Sequence, residues 1–98
     1  MKTIMAKDLQ EKMNRGEPVQ IIDVREDFEV STGKIPGAKH LALSRIAHEL
    51  GELNKNSHYY IVCQSGGRSA RACEFLSHHG YHVTNVNGGM MAWPGKVE

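Results

Sequence analysis

One segment of the chain combines a nucleophilic side chain with groups that can stabilise an anion. Cys63 follows a short apolar run and opens a loop, residues 64–68, that leads into a helical pattern. The N-terminus of a helix carries unpaired N–H groups and partial positive charge. Gly66 and Gly67 can adopt positive φ, so that successive N–H groups point inward as an anion nest, and Arg68 adds a full positive charge at the rim. These features predict a Cys63 thiolate at neutral pH.

An alternative is that Cys63 only packs at the end of a strand. A buried structural cysteine does not require two glycines and an arginine beside it, so the loop favours the reactive cysteine. Several enzyme classes share such a thiolate, and so do redox-sensing proteins. The loop alone therefore predicts a nucleophile and leaves its reaction open.

The elements that must position Cys63 follow from the spacing of apolar residues. Compact apolar runs at residues 19–24 and 59–62 predict buried strands, residues 83–86 are predicted as a third strand, and residues 41–43 form a very short candidate. Helical spacing occurs at residues 5–13 before Gly16, 25–30, 44–50 with Ser44 as the cap, 69–79 before Gly80, and 90–93. Alternating strands and helices predict an α/β fold whose parallel sheet is covered on both faces.

Four segments resemble, in order, the signatures of the rhodanese-like sulfurtransferases. They are residues 21–26, 33–38, 63–69 and 87–93, which together extend over nearly the whole chain. The resemblance implies a three-layer rhodanese-like fold, with a central, mostly parallel sheet and helices on both faces. For a chain this short we expect about four or five strands and a single domain over residues 1–98.

The same resemblance implies a rhodanese-type sulfurtransferase with Cys63 as the catalytic nucleophile. Its thiolate takes a sulfane sulfur from a small donor such as thiosulfate, mercaptopyruvate, a polysulfide or a persulfide, or from a protein persulfide. A cyanide, a thiol or a protein cysteine then accepts it. The main chain that holds the persulfide, and so the substrate-binding set, is Gln64, Ser65, Gly66, Gly67, Arg68 and Ser69. No metal and no organic cofactor is implied.

Three other functions remain open from the residues alone. Cysteine phosphatases and arsenate reductases built on this fold carry one residue more between Cys and Arg than the four found here, and a tighter ring suits one sulfur atom better than a tetrahedral oxyanion. A fold does not fix a function, so a non-catalytic binding module is a second alternative. A redox-sensing thiol is the third.

Two charged residues follow a strand at the predicted edge of Cys63. Asp23 and Arg25 match the Asp-x-Arg pair that supports the site in the family. An ion pair or loop brace is the favoured interpretation, and direct substrate contact is the alternative. Lys34 stands where the family commonly has His. Its side chain is either solvated or adds to the positive electrostatic field near the site. Arg71 either faces donor anions or is simply exposed.

Cys73 shares an apolar helical face with Leu76, which predicts a core position. A resolving thiol for Cys63 is the alternative, but the intervening loop and helix do not favour that geometry. The six histidines form no zinc-like pattern with the cysteines.

Composition narrows the partners and the location. The net charge is +1, with 40% apolar and 23% charged residues, which favours neither nucleic acid nor a membrane as a partner. Two cysteines without a framework spacing favour a reducing compartment. The N-terminal residues lack the apolar segment of a signal peptide, so we expect a cytoplasmic protein.

Overall fold

The computed structural model describes residues 1–98 and contains one sheet of five parallel strands. The strands are β1 Thr3–Met5, β2 Gln20–Asp23, β3 Lys39–His40, β4 His58–Val62 and β5 His82–Asn87, in the order β1-β5-β4-β2-β3 across the sheet. The helices are α1 Ala6–Asn14, α2 Asp27–Val30 and α3 Gly67–His78. β4, which leads into Cys63, is the central strand.

The two faces of the sheet are covered by different helices. Along β4, Ile61 packs with α3 residues on one face, and Val62 packs with α1 residues on the other. This alternation follows from the two-residue period of a strand. The predicted three-layer α/β fold is therefore confirmed, and the sheet is parallel throughout.

β1 was not expected from the sequence. Its last residue, Met5, is the first residue of the predicted helical spacing, and Ile4 pairs with Val86 of β5. Met5 precedes α1 and is 49% exposed, so its predicted inward position is wrong, whereas Leu9 is fully buried. A parallel partner gives this short segment its extended form, and the local pattern carries no signal for that partner.

The segment between β3 and β4 also differs from the prediction. β3 ends at His40, and the run at 41–43 follows it, with the N–H of Leu41 donating to the carbonyl oxygen of Asp23 at 2.9 Å. The predicted helix capped by Ser44 is instead two 3₁₀ turns, Ile46–His48 and Leu50–Glu52. Ser44 Oγ donates to Glu26 rather than to a helix terminus. Only Ile46 of these turns is fully buried, and short helical segments with little apolar contact are marginal.

No helix of the structure has both the length and the apolar character needed to cross a bilayer.

Candidate active site

Cys63 lies at the carboxyl end of the central strand, where the chain turns into α3. Gly66 adopts φ +110° and allows this turn. Gly67 does not have positive φ; it is the first residue of α3, and a Cβ on it would meet no atom within 4 Å. The nest predicted from two glycines therefore depends on the conformation of Gly66 alone.

The Cys63 sulfur is buried among hydrogen-bonding groups. The N–H of Gly66 donates to Sγ at 3.1 Å, and Ser69 Oγ lies 3.3 Å from Sγ. Burial opposes ionisation of the thiol, but the Ser69 hydroxyl and the N–H groups of Ser69, Gly66 and Ser65 outweigh it and lower the pKa of Cys63. The geometry can therefore stabilise a negative charge on this sulfur.

Only part of the predicted N–H set faces Cys63. Ser65, Gly66 and Ser69 contribute to the hydrogen bonding of the thiol. Gln64 is exposed, and its carbonyl oxygen accepts from the N–H of Met91 at 2.9 Å. The structure thus brings Cys63 together with three of the six predicted residues, Ser65, Gly66 and Ser69, while Gln64 anchors the loop to the closing 3₁₀ turn, Gly89–Ala92.

The closing turn packs directly on the main chain of the Cys63 loop. The N–H of Met90 donates to the Cys63 carbonyl oxygen at 2.8 Å. A Cβ on Gly89 would stand only 2.7 Å from the Gln64 carbonyl oxygen, and Gly89 also has φ +55°. Gly89 of the fourth motif is therefore needed for close approach to the loop as well as for the turn.

Arg68, the last residue of the predicted loop, has an acidic partner on α2. Its guanidinium forms two hydrogen bonds with the Glu29 carboxylate, at 2.5 and 2.7 Å. These bonds, ahead of smaller contributions, lower the pKa of Glu29 to about 2 despite partial burial. Arg68 therefore braces α3 against α2. The Glu29 carboxylate compensates part of its positive charge, and that charge still interacts with Cys63.

Asp23 and Arg25 form a buried ion pair on the neighbouring strand end. Arg25 Nη2 lies 2.8 Å from Asp23 Oδ2 and 2.7 Å from the Gly33 carbonyl oxygen to which it donates. Asp23 is opposite Val62 in the sheet register, one residue before Cys63. Neither side chain hydrogen-bonds to Cys63, and the pair links the end of β2 to the loop at Gly33.

Two residues of the site, Glu29 and Asn85, were not predicted from the sequence. The spacing of Glu26 and Glu29 was a partial sequence signal for Glu29, because these two residues form a capping box that fixes α2 in place. Asn85 lies in the predicted strand at 83–86 and is 4% exposed, and its amide nitrogen is 3.3 Å from the Gly66 carbonyl oxygen. A polar residue inside a buried strand was the available signal for Asn85.

The other residues singled out from the sequence do not hydrogen-bond to the Cys63 sulfur. Lys34 forms an ion pair with Glu98, and Arg71 is exposed. Cys73 is 1% exposed in the core, as predicted. Burial, together with the nearby Cys63 charge, raises the pKa of Cys73 to about 12, so that this thiol stays protonated.

Comparison with known proteins gives one consistent family. Residues 5–96 match the model of the "Rhodanese-like domain". The chain is 41% identical over 98 residues to "Putative sulfurtransferase YtwF" of Bacillus subtilis, covering 100% of this chain and 95% of that protein. It is 31% identical to "Thiosulfate sulfurtransferase GlpE" of Shewanella oneidensis, covering 84% of this chain and 82% of that protein. The crystal structure of a rhodanese-like domain protein from Staphylococcus aureus superposes with a TM-score of 0.95 at 44% identity, covering 100% of this chain and 97% of that one.

Proposed function

The chain belongs to the rhodanese-like domain family, and we propose that it transfers a sulfane sulfur from a donor to a thiophilic acceptor through a persulfide on Cys63. The observation that carries the proposal is the buried Cys63 sulfur with the Gly66 N–H and the Ser69 hydroxyl beside it. The names of the similar proteins support a rhodanese-type sulfurtransferase.

The first half-reaction loads the enzyme. The Cys63 thiolate attacks the outer sulfur of the donor, a new S–S bond forms, and the donor's bond to that sulfur breaks. The leaving group departs with the electron pair, as sulfite from thiosulfate or as a thiolate from a persulfide. The N–H groups of Ser65, Gly66 and Ser69 stabilise the persulfide anion, as they stabilise the thiolate.

The second half-reaction returns the free enzyme. Cyanide, a thiol or a protein cysteine attacks the terminal sulfur, and Cys63 leaves as a thiolate. The low pKa that activates Cys63 as a nucleophile also makes it a good leaving group in this step. Donor and acceptor therefore react in turn, in a ping-pong sequence. The name of the Shewanella oneidensis relative favours thiosulfate as one donor.

An oxyanion substrate is less well matched to this loop. A phosphate or arsenate would need cationic coordination, but the Arg68 guanidinium is committed to Glu29. Four residues separate Cys63 from Arg68, which leaves a narrow ring.

We also place the reaction in the cytoplasm, because both cysteines are free thiols and a reducing compartment preserves them.

Steady-state kinetics with thiosulfate or a polysulfide as donor and cyanide as acceptor test the proposal. We expect parallel double-reciprocal lines for the wild-type protein, no turnover for Cys63→Ser, and wild-type turnover for the matched control Cys73→Ser. Turnover that persists in Cys63→Ser would refute the assignment. Hydrolysis of an aryl phosphate without any sulfur transfer would favour the phosphatase function instead.

A further inference from the structure

Asn85 is a buried polar residue beside the Cys63 loop that the proposed reaction does not use. Its Nδ2 lies 3.3 Å from the Gly66 carbonyl oxygen and 3.3 Å from Asn87 Oδ1. Two acceptors on this side fix the amide nitrogen toward them, and Asn85 Oδ1 is left buried without a partner. An unsatisfied buried acceptor destabilises a fold, so the presence of this amide calls for an explanation.

The Gly66 carbonyl oxygen has more donors than it can use well. Ala70 N–H donates to it at 3.1 Å, Ser69 Oγ at 3.1 Å, and Asn85 Nδ2 at 3.3 Å. A carbonyl oxygen has two lone pairs, so one of the three donors is in excess. The Ser69 hydroxyl is the donor with another acceptor close by, the Cys63 sulfur at 3.3 Å.

The hydroxyl of Ser69 must change its acceptor when Cys63 ionises. In the thiol state, Cys63 S–H donates to Ser69 Oγ and the Ser69 O–H donates to the Gly66 carbonyl oxygen. In the thiolate state, the thiol proton has gone to solvent and the sulfur can only accept. The Ser69 O–H then turns to the sulfur without giving up its proton, and the Gly66 oxygen keeps Ala70 and Asn85 as donors.

We propose that Asn85 is a positioning residue that supplies the second donor to the Gly66 carbonyl, and thereby frees the Ser69 hydroxyl to bind the ionised Cys63 sulfur. Its value to the reaction rests on the proposed function, because sulfur transfer needs the thiolate. Without Asn85, the Gly66 oxygen retains the Ser69 hydroxyl more strongly, and the thiolate loses a hydrogen bond.

The ionisable groups around Cys63 do not depend on Asn85. Arg68 pairs with Glu29, and Arg25 pairs with Asp23. Cys73, on α3, is held neutral by its burial. A change at Asn85 therefore leaves the charges near Cys63 in place and alters the hydrogen bonds of the Gly66 carbonyl and of the Asn87 side chain.

The rate of iodoacetamide alkylation of the Cys63 peptide, followed by mass spectrometry across pH, gives the pKa directly. Asn85→Leu removes the amide and keeps the number and branching of the side-chain heavy atoms. We expect its Cys63 pKa to rise by about 0.5 to 1 unit, the equivalent of one lost neutral hydrogen bond. Asn85→Ala should also raise the pKa of Cys63. Thr84→Val is the matched control, because Thr84 is buried in the same strand and bonds His58 instead of the loop; its Cys63 should titrate as in the wild type.

A double-mutant cycle with Ser69→Ala tests whether Asn85 affects the pKa of Cys63 through the Ser69 hydroxyl or by another route. Ser69→Ala should raise the Cys63 pKa, and adding Asn85→Leu should raise it no further. An unchanged pKa in Asn85→Leu, a shift in Asn85→Leu but not in Asn85→Ala, or a full second shift in the Ser69→Ala background would overturn the proposal. Alkylation needs no sulfur donor, so these outcomes are independent of whether the protein transfers sulfur.

Discussion

At Cys63, the balance between burial and hydrogen bonding decides whether the residue can act as a nucleophile. The two cysteines of this chain have opposite environments, since hydrogen bonds lower the pKa of Cys63 and burial raises that of Cys73 to about 12. Because only the thiolate reacts, we expect iodoacetamide at neutral pH to label Cys63 much faster than Cys73 in the folded protein. Peptide mass spectrometry measures both rates in one sample, and equal rates would contradict this description of the two sites.

Two adjacent glycines of the loop should differ sharply in their tolerance of a side chain. Gly66 has φ +110°, whereas Gly67 begins α3 with open space around its Cβ position. We expect Gly66→Ala to lower the free energy of unfolding by about 1 to 3 kcal/mol through backbone strain and to slow Cys63 alkylation. Gly67→Ala should be neutral or stabilising by up to about 1 kcal/mol. Urea unfolding of the pair measures this, and an equal loss in both variants would contradict the loop conformation.

Among single residues, the sequence carries a signal for those whose surroundings are local. Cys63 is proposed as the nucleophile because a cysteine, glycines and a helix N-terminus are adjacent along the chain. Glu29 could not be predicted, because it meets Arg68 only through the packing of α2 against the loop, 39 residues away in sequence. The pairing of Arg68 with Glu29 was not predicted for the same reason.

At the scale of elements, the Glu29–Arg68 pair joins α2 to the first turn of α3 and so holds the loop between them. The carboxyl of Glu29 has its pKa lowered to about 2 from 4.5, so the unfolded chain binds a proton at higher pH than the folded one does. This contribution to stability is therefore present above about pH 4.5 and is lost as the pH falls toward 2.

Glu29→Gln removes this acid-dependent contribution. We expect it to lower the free energy of unfolding at neutral pH by about 1 to 2 kcal/mol, because the pair is partly exposed. The difference from the wild type should shrink as the pH approaches 2. Glu17→Gln is the matched control, since Glu17 pairs with Arg15 and Lys12 at the surface. If urea unfolding gave the same pH profile for Glu29→Gln and the wild type, the pair would not support the loop.

Elements with their own apolar pattern were predicted well, and those that depend on a distant partner were not. Five elements each bury a run of residues, and the spacing of apolar residues along the sequence predicted their positions: β2, β4, β5, α1 and α3. β1 is defined by its pairing with β5, and β3 by its pairing with β2. Neither pairing is encoded in neighbouring residues.

For the molecule as a whole, the two layers on the sheet's faces should unfold together. β4 and its neighbours contribute side chains to both cores, so loss of either core removes support from the same strands. We propose that residues 1–98 form one folding unit. Leu9→Ala on one face and Leu76→Ala on the other should each cost about 2 to 5 kcal/mol and give a single unfolding transition. Two separate transitions, by circular dichroism and by tryptophan fluorescence, would contradict this.

The α/β class could be predicted because strand and helix patterns alternate along the whole chain. The family followed from four motifs in order, and the structure shows why that order matters. The first supplies the Asp23–Arg25 pair, the third the Cys63 loop, and the fourth the Gly89 turn, and all meet at the carboxyl edge of the sheet.

The central claim, that Cys63 carries sulfur as a persulfide, is tested most directly by the masses of the two cysteine peptides after incubation with a polysulfide. We expect the Cys63 peptide to gain the mass of one sulfur atom and to lose it on addition of cyanide, while the Cys73 peptide stays unchanged. A sulfur found on the Cys73 peptide, or gained by a Cys63→Ser chain, would contradict the claim.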